Sequence, residues 1–282
     1  MYLSNNITFI YVVAGDNTHY DNLKTSINSV KKIYPDSKIL IGDFDNKFDI
    51  NYSSNIELVD LSSVVINRKK IFKHIIWQYK YYLSQLTTTK YNLYLDTDTV
   101  LVNKLDNLID ESFGKFIIAK HFWVENVKKF KLIAEKQSNT FEFLERLGLK
   151  DDMDFCAAGV FFFEKNENNL NILKETFDIH KSIYKNRDYI LGIYDETILN
   201  SVLQKNIDSV IYYNGSINHC SMLDMPLIYE NGILLGRNIF DPVYKPITCL
   251  HCDKSRRNPS LPYYEPIKSI ISDLFEITVN LS

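Results

Sequence analysis

The 282-residue sequence predicts an α/β protein: one domain built on a mostly parallel sheet flanked by helices. Short β-branched and aromatic runs alternate with longer stretches of helical spacing, the order that builds parallel sheets with covering helices. No internal repeat, low-complexity tract or linker divides the chain. Its length is enough to bury a sizeable core.

Taken in order, Ile7 to Val13 is β-branched and aromatic and reads as the first strand. It stops at Ala14-Gly15-Asp16-Asn17, residues that favour a turn. From about Tyr20 to Tyr34, Leu23, Ile27, Val30 and Ile33 recur at helical intervals, and Pro35 closes the run. Residues 38–42 and 56–60 read as strands, and Arg68 to Leu86 as a long helix. That helix feeds a strand, Tyr91 to Leu95, ending in Asp96-Thr97-Asp98. Further strands are expected at 116–119, at 156–163 after a start of small residues, at 210–213, at 233–235 and into Leu250-His251-Cys252. Helices are expected near 170–185, from Asp195 to Leu203 and over 264–276, with a helical pair or excursion between 126 and 147. The acidic start at Asp195-Glu196 suits the positive end of a helix dipole.

Composition narrows the function classes. The chain is 45% hydrophobic and 24% charged, as in ordinary soluble domains, and its formal charge of -3 argues against non-specific nucleic-acid binding. Cys156, Cys220, Cys249 and Cys252 form neither a disulfide ladder nor a paired zinc spacing, so reduced thiols in a cytoplasmic protein are expected. No apolar stretch approaches the ~20 residues a membrane helix needs, although attachment at a membrane surface stays open.

The chemistry centres on Asp96-Thr97-Asp98. Two carboxylates one residue apart at a strand end can converge on a hard divalent cation and the phosphate it brings. Open α/β sheets place ligands at strand carboxyl ends. The same residues also fit a solvated turn, or the nucleophile and acid/base of a haloacid-dehalogenase-type phosphatase whose further acidic motif would be Gly42 to Asp49. Taken singly, Asp16 is a turn residue or helix cap, and Lys80 a solvated helix face. A single His251 at a strand end is most simply a core histidine.

Together these stretches resemble the GT-A nucleotide-sugar glycosyltransferases, most closely glycosyltransferase family 8, the glycogenin and bacterial galactosyltransferase type. The likeness is collinear from residue 7 to about 257. It implies a Rossmann-like fold, with about 1–110 binding the nucleotide and about 111–282 the sugar and acceptor. It implies that Ala14 and Asp16 meet the nucleotide, Asp16 on the uracil edge. His19, with Tyr20 beside it, stands where the family stacks an aromatic. Lys80 lies within one residue of the family's helical cation. Asp96, Asp98 and His251 would bind Mn²⁺ or Mg²⁺, with Asp96 also reaching the donor. Phe155 to Val160 matches the family's donor-sugar stretch, where Ala157 replaces an Asn and Ala158 would meet the donor. Asp195-Glu196 match an Asp-Gln pair, so Asp195 would bind sugar hydroxyls and Glu196 would face the anomeric carbon. Lys254 and Arg257 would meet the diphosphate. The implied activity is metal-dependent transfer from a UDP-sugar donor, with retention, to a carbohydrate, lipid-linked or protein acceptor. A binding protein that kept the fold without catalysis is the non-enzymatic alternative.

Overall fold

The structure, a computed structural model, describes residues 4–49, 55–64, 72–121, 124–134, 146–185, 195–213, 218–220, 227–231, 233–237 and 243–251. The strands are β1 (Ile7–Val13), β2 (Lys38–Asp43), β3 (Ile56–Asp60), β4 (Tyr91–Leu95), β5 (Thr99–Leu101), β6 (Phe116–Lys120), β7 (Cys156–Glu164), β8 (Val210–Tyr213), β9 (Asn218–Cys220), β10 (Leu227–Glu230), β11 (Ile233–Gly236), β12 (Lys245–Pro246) and β13 (Cys249–His251). The helices are α1 (Asn17–Ile33), α2 (Phe72–Leu86), α3 (Asp106–Ser112), α4 (Val127–Ala134), α5 (Glu167–Lys185) and α6 (Asp195–Lys205).

Seven strands form one sheet in the order β3-β2-β1-β4-β7-β6-β8. β3, β2, β1 and β4 are parallel to one another, as are β6 and β8, while β7 runs antiparallel to both of its neighbours. Burial on both faces follows from near-continuous apolar strands. On β7, Phe162 joins a core with Leu23, Ile27 and Leu101 on one side of the sheet. Phe161 and Phe163 face the other core, with Tyr81, Tyr94 and Phe116. There the Phe161 ring stacks on Tyr94 and Phe116, with centroids 5.0 and 5.3 Å away. Each such burial contributes about 1.5–3 kcal/mol.

Within the described residues the predicted elements are found with modest shifts; of the pair or excursion expected between 126 and 147, residues 135–145 lie outside them. α1 begins at Asn17, earlier than the apolar spacing suggests, because Asp16 caps it by accepting the Thr18 N–H at 3.0 Å. The short α3, whose first turn carries Asp106, has too few residues for a periodic signal. β9 and β10 are likewise additional, since strands of three and four residues hold too little alternation to read. The helix expected over 264–276 lies outside the described residues, as do Lys254 and Arg257. Cys156 and Cys249 are buried free thiols. Among the described residues, no helix is long and apolar enough to cross a membrane.

Two small sheets complete the structure, β10-β11-β12 and β5-β13-β9. The second positions the site. β13 pairs antiparallel with β5, setting Cys249 opposite Leu101 and His251 opposite Thr99, directly after the aspartates.

Candidate active site

β4 delivers Asp96 to the carboxyl edge of the sheet, and the chain turns at once. The Thr99 hydroxyl and N–H both donate to the Asp96 carbonyl, at 2.6 and 3.1 Å, so Asp96-Thr97-Asp98 is a tight, closed turn. The Asp96 N–H donates to the Gly159 carbonyl at 2.8 Å, tying the turn to β7. With His251 brought alongside by β13, Asp98 Oδ1 lies 3.1 Å from His251 Nε2. Asp96, Asp98 and His251 can each turn one ligand atom into a cluster within 4.8 Å. Two carboxylate oxygens and an imidazole nitrogen form a mixed donor set suited to Mn²⁺ or a similar divalent cation. Gly159 keeps the cluster open: a Cβ there would come within 2.8 Å of His251 Cε1 and 2.9 Å of Asp96 Oδ2.

Behind the cluster lies a buried cation. Lys80, on α2, is 2% exposed, and its ammonium lies 2.6 Å from Asp195 Oδ2 and 3.5 Å from Asp96 Oδ1. It also donates to the Ala158 carbonyl at 3.1 Å and sits 4.8 Å from the Tyr94 ring centroid. Burial alone would depress the Lys80 ammonium, but Asp195 and Asp96 outweigh it and hold it above the ordinary lysine value. Burial raises the Asp96 carboxyl against the opposing pull of Lys80 and His251. The Tyr94 hydroxyl adds a 2.6 Å hydrogen bond to Asp96 Oδ1. Lys80 is therefore tied into the cluster, with its charge divided between two carboxylates.

Helix α6 contributes Asp195 and Glu196 from its first turn. Asn200, one turn on, locks α6 to β7: it accepts the Cys156 N–H at 2.9 Å and donates to the Cys156 carbonyl at 3.0 Å. Glu196 accepts the Ala158 N–H, so Ala158 serves the site through both backbone groups while its methyl is buried. Burial first, and then Asp195, push the Glu196 carboxyl up to about 8, with Lys80 opposing. His121 Nε2, at the end of β6, lies 3.7 Å from Glu196 Oε2.

The edge after β1 is built differently. Asp16 is exposed and its carboxylate caps α1. Gly15 has φ +110°, and the His19 ring lies against it, 2.9 Å from where a Cβ would stand. Tyr20 is buried and donates to Asp43 Oδ1 at 2.5 Å, while Ala14 is half-buried beside this turn. Asp45 Oδ2 accepts the Gly15 N–H at 2.7 Å, and Lys47 Nζ donates to the Gly15 carbonyl at 2.8 Å.

The structure thus brings together Lys80, Asp96, Asp98, Ala158, Asp195, Glu196 and His251, and sets Ala14, Asp16, His19 and Tyr20 along a separate turn. Sequence reasoning matched Gly159 and Asn200 only as parts of family stretches, without roles of their own, and missed His121 altogether. His121 follows directly on an apolar strand, and that position at a strand carboxyl end is the signal that was available.

No family model matches the chain, and no curated protein matches it significantly by sequence. Solved structures do. The galactosyltransferase LgtC in complex with donor and acceptor sugar analogues is 15% identical, with 95% of each chain covered and a TM-score of 0.54. An active-site variant of LgtC is 18% identical, covering 94% of this chain and 95% of its own, at 0.58. The apo glycosyltransferase GlyE of Streptococcus pneumoniae TIGR4 is 14% identical at 0.54; the match takes in 97% of this chain and 61% of GlyE. With the strand order above, these likenesses define the fold as that of the GT-A glycosyltransferases.

Proposed function

We propose that this protein is a metal-dependent glycosyltransferase that moves a sugar, with retention, from a nucleoside-diphosphate donor of the UDP-sugar type to a carbohydrate, lipid-linked or protein acceptor. The observation that carries the reading is the Asp96-Asp98-His251 cluster at the edge of the sheet, backed by the buried Lys80-Asp195 pair. LgtC, solved with donor and acceptor sugar analogues, supports it by shared fold. Asp96, Asp98 and His251 would hold Mn²⁺ or Mg²⁺, which when bound supplies charge neutralisation for a leaving diphosphate. Lys80 bridges Asp195 and Asp96 and holds both in place. Asp195 binds sugar hydroxyls, and Glu196 faces the reacting carbon, where its carboxylate, once the raised carboxyl has lost its proton, stabilises an oxocarbenium-like transition state. Ala14, Asp16, His19 and Tyr20 mark the nucleotide edge, and Lys254 and Arg257 the diphosphate.

The phosphatase reading is less well supported. Its second acidic motif needs a carboxylate free to ligate metal. Asp43 instead accepts from the Tyr20 hydroxyl and from the Asp45, Lys47 and Phe48 N–H groups. The deciding experiment incubates the full chain with a panel of nucleotide sugars, with and without Mn²⁺, and measures nucleotide release. Mn²⁺-dependent release from one donor, lost in Asp98→Ala, is the expected result. An Asp98→Ala variant with unchanged Mn²⁺ dependence would sink the assignment, and binding without release would favour the non-catalytic alternative.

A further inference from the structure

His121 belongs neither to the metal cluster nor to the Lys80 network, yet its ring is held from several sides. Its N–H donates to the Phe155 carbonyl at 2.7 Å, and its ring packs on Phe155 with centroids 5.7 Å apart. Its Nδ1 accepts the Val124 N–H at 3.2 Å. A ring nitrogen that accepts carries no proton, so the neutral imidazole bears its hydrogen on Nε2. That nitrogen is the one 3.7 Å from Glu196 Oε2. The ring is 6% exposed, and burial pushes its imidazolium down to about 4, which keeps it neutral at physiological pH.

Several groups face Glu196: Asp195 on its own helix, Lys80 from α2, Asp96 at the end of β4, the Ala158 N–H of β7 and His121 of β6. The Lys80 ammonium lies closest to Asp195 and Asp96. The Ala158 N–H and the His121 Nε2–H then address the Glu196 carboxylate directly. At 3.7 Å the histidine contact is longer than a hydrogen bond, and contacts of this kind tighten when substrate fills a site.

We infer that His121 is a positioning residue for Glu196, using its Nε2–H to fix how the Glu196 carboxylate is presented to the donor sugar. The sugar in this statement rests on the glycosyltransferase reading; the pairing does not. A lone core histidine would need no second polar contact, whereas this one joins a rigid strand end to the first turn of α6.

Two measurements on the full chain test the inference. Long-range histidine NMR on isotope-labelled protein reads the tautomer, with His121→Phe assigning the signal. A neutral Nε2–H ring whose nitrogen shifts respond to Glu196→Gln is expected. A ring protonated on Nδ1, or one blind to Glu196→Gln, overturns the pairing whatever reaction the protein performs. In kinetics, His121→Phe is expected to lower kcat about tenfold while donor KM stays within about twofold, the scale of one lost hydrogen bond. His121→Gln, which keeps an amide donor near the Nε2 position, should recover part of that loss. Wild-type kcat in His121→Phe overturns the positioning role. If that variant does not fold, His121→Asn, too short to reach Glu196, is compared with His121→Gln, and equal kcat in both overturns it. A wild-type chain that releases nucleotide from no donor sinks the proposed function, and the NMR result still decides the pairing.

Discussion

Gly159→Ala tests the architecture of the cluster with a single methyl group. The new Cβ would stand 2.8 Å from His251 Cε1, 3.1 Å from His251 Nδ1 and 2.9 Å from Asp96 Oδ2. To restore an ordinary contact of 3.4 Å, His251 must retreat by about 0.6 Å and Asp96 by about 0.5 Å. Neither has much freedom, since Asp96 is held by Lys80 and Tyr94 and His251 is fixed in the pairing of β13 with β5. The overpacking should cost about 1–3 kcal/mol of stability. Ligand displacements of this size should weaken Mn²⁺ binding about 10- to 100-fold, the range seen when the support of metal ligands is removed. Titration calorimetry with Mn²⁺ on wild type and variant, beside urea melts without metal, separates the two effects. A folded Gly159→Ala protein with wild-type Mn²⁺ affinity would refute the claim that these three residues converge on one ion beside β7.

Other perturbations follow from the same geometry. Lys80→Met removes the cation from a pair whose side chains are 3% and 11% exposed, leaving Asp195 buried without its partner. Urea melts should show a loss of about 3–5 kcal/mol. Asp43→Asn turns an amide donor toward the backbone N–H groups that Asp43 now accepts, and a loss of about 1–3 kcal/mol is expected by the same method. Glu196 holds its proton up to about 8 when folded, against 4.5 for the ordinary side chain, so the folded state binds more protons between those values. Its contribution is therefore present below about 4.5 and is lost as pH rises toward 8. Glu196→Gln should flatten that decline in stability, and an unchanged slope would count against the raised carboxyl. His121, lowered to about 4 from 6.5, acts in the opposite sense, so its stabilisation fades as pH falls through that window in both proteins.

The sheet was legible because its strands are strongly apolar runs such as Ile7 to Val13 and Val160 to Phe163, which read as strands wherever they fall. Asp96 and Asp98 were legible for the same reason: a polar pair at the end of such a run has few other uses. His251 needed the likeness to a family, since nothing local announces that β13 will pair with β5. Lys80 could be marked as a cation near the donor, but its burial against Asp195 depends on how α2 packs across the sheet. Gly159 was hidden because its function lies in the side chain it lacks. His121 was hidden because one histidine after a strand is silent until α6 places a carboxylate opposite it.

The pairing of β13 with β5 has a consequence for how the protein comes into being. Asp98 and His251 lie far apart in sequence, and only this late strand brings them together. Contacts of such separation carry the full entropic cost of closing the intervening chain, so they are expected to form last. During synthesis Asp96 and Asp98 emerge long before His251, so the proposed metal cluster stays incomplete until β13 arrives. If the proposed cluster binds Mn²⁺, the rate at which a refolding chain acquires the ion would serve as a clock for the docking of β13.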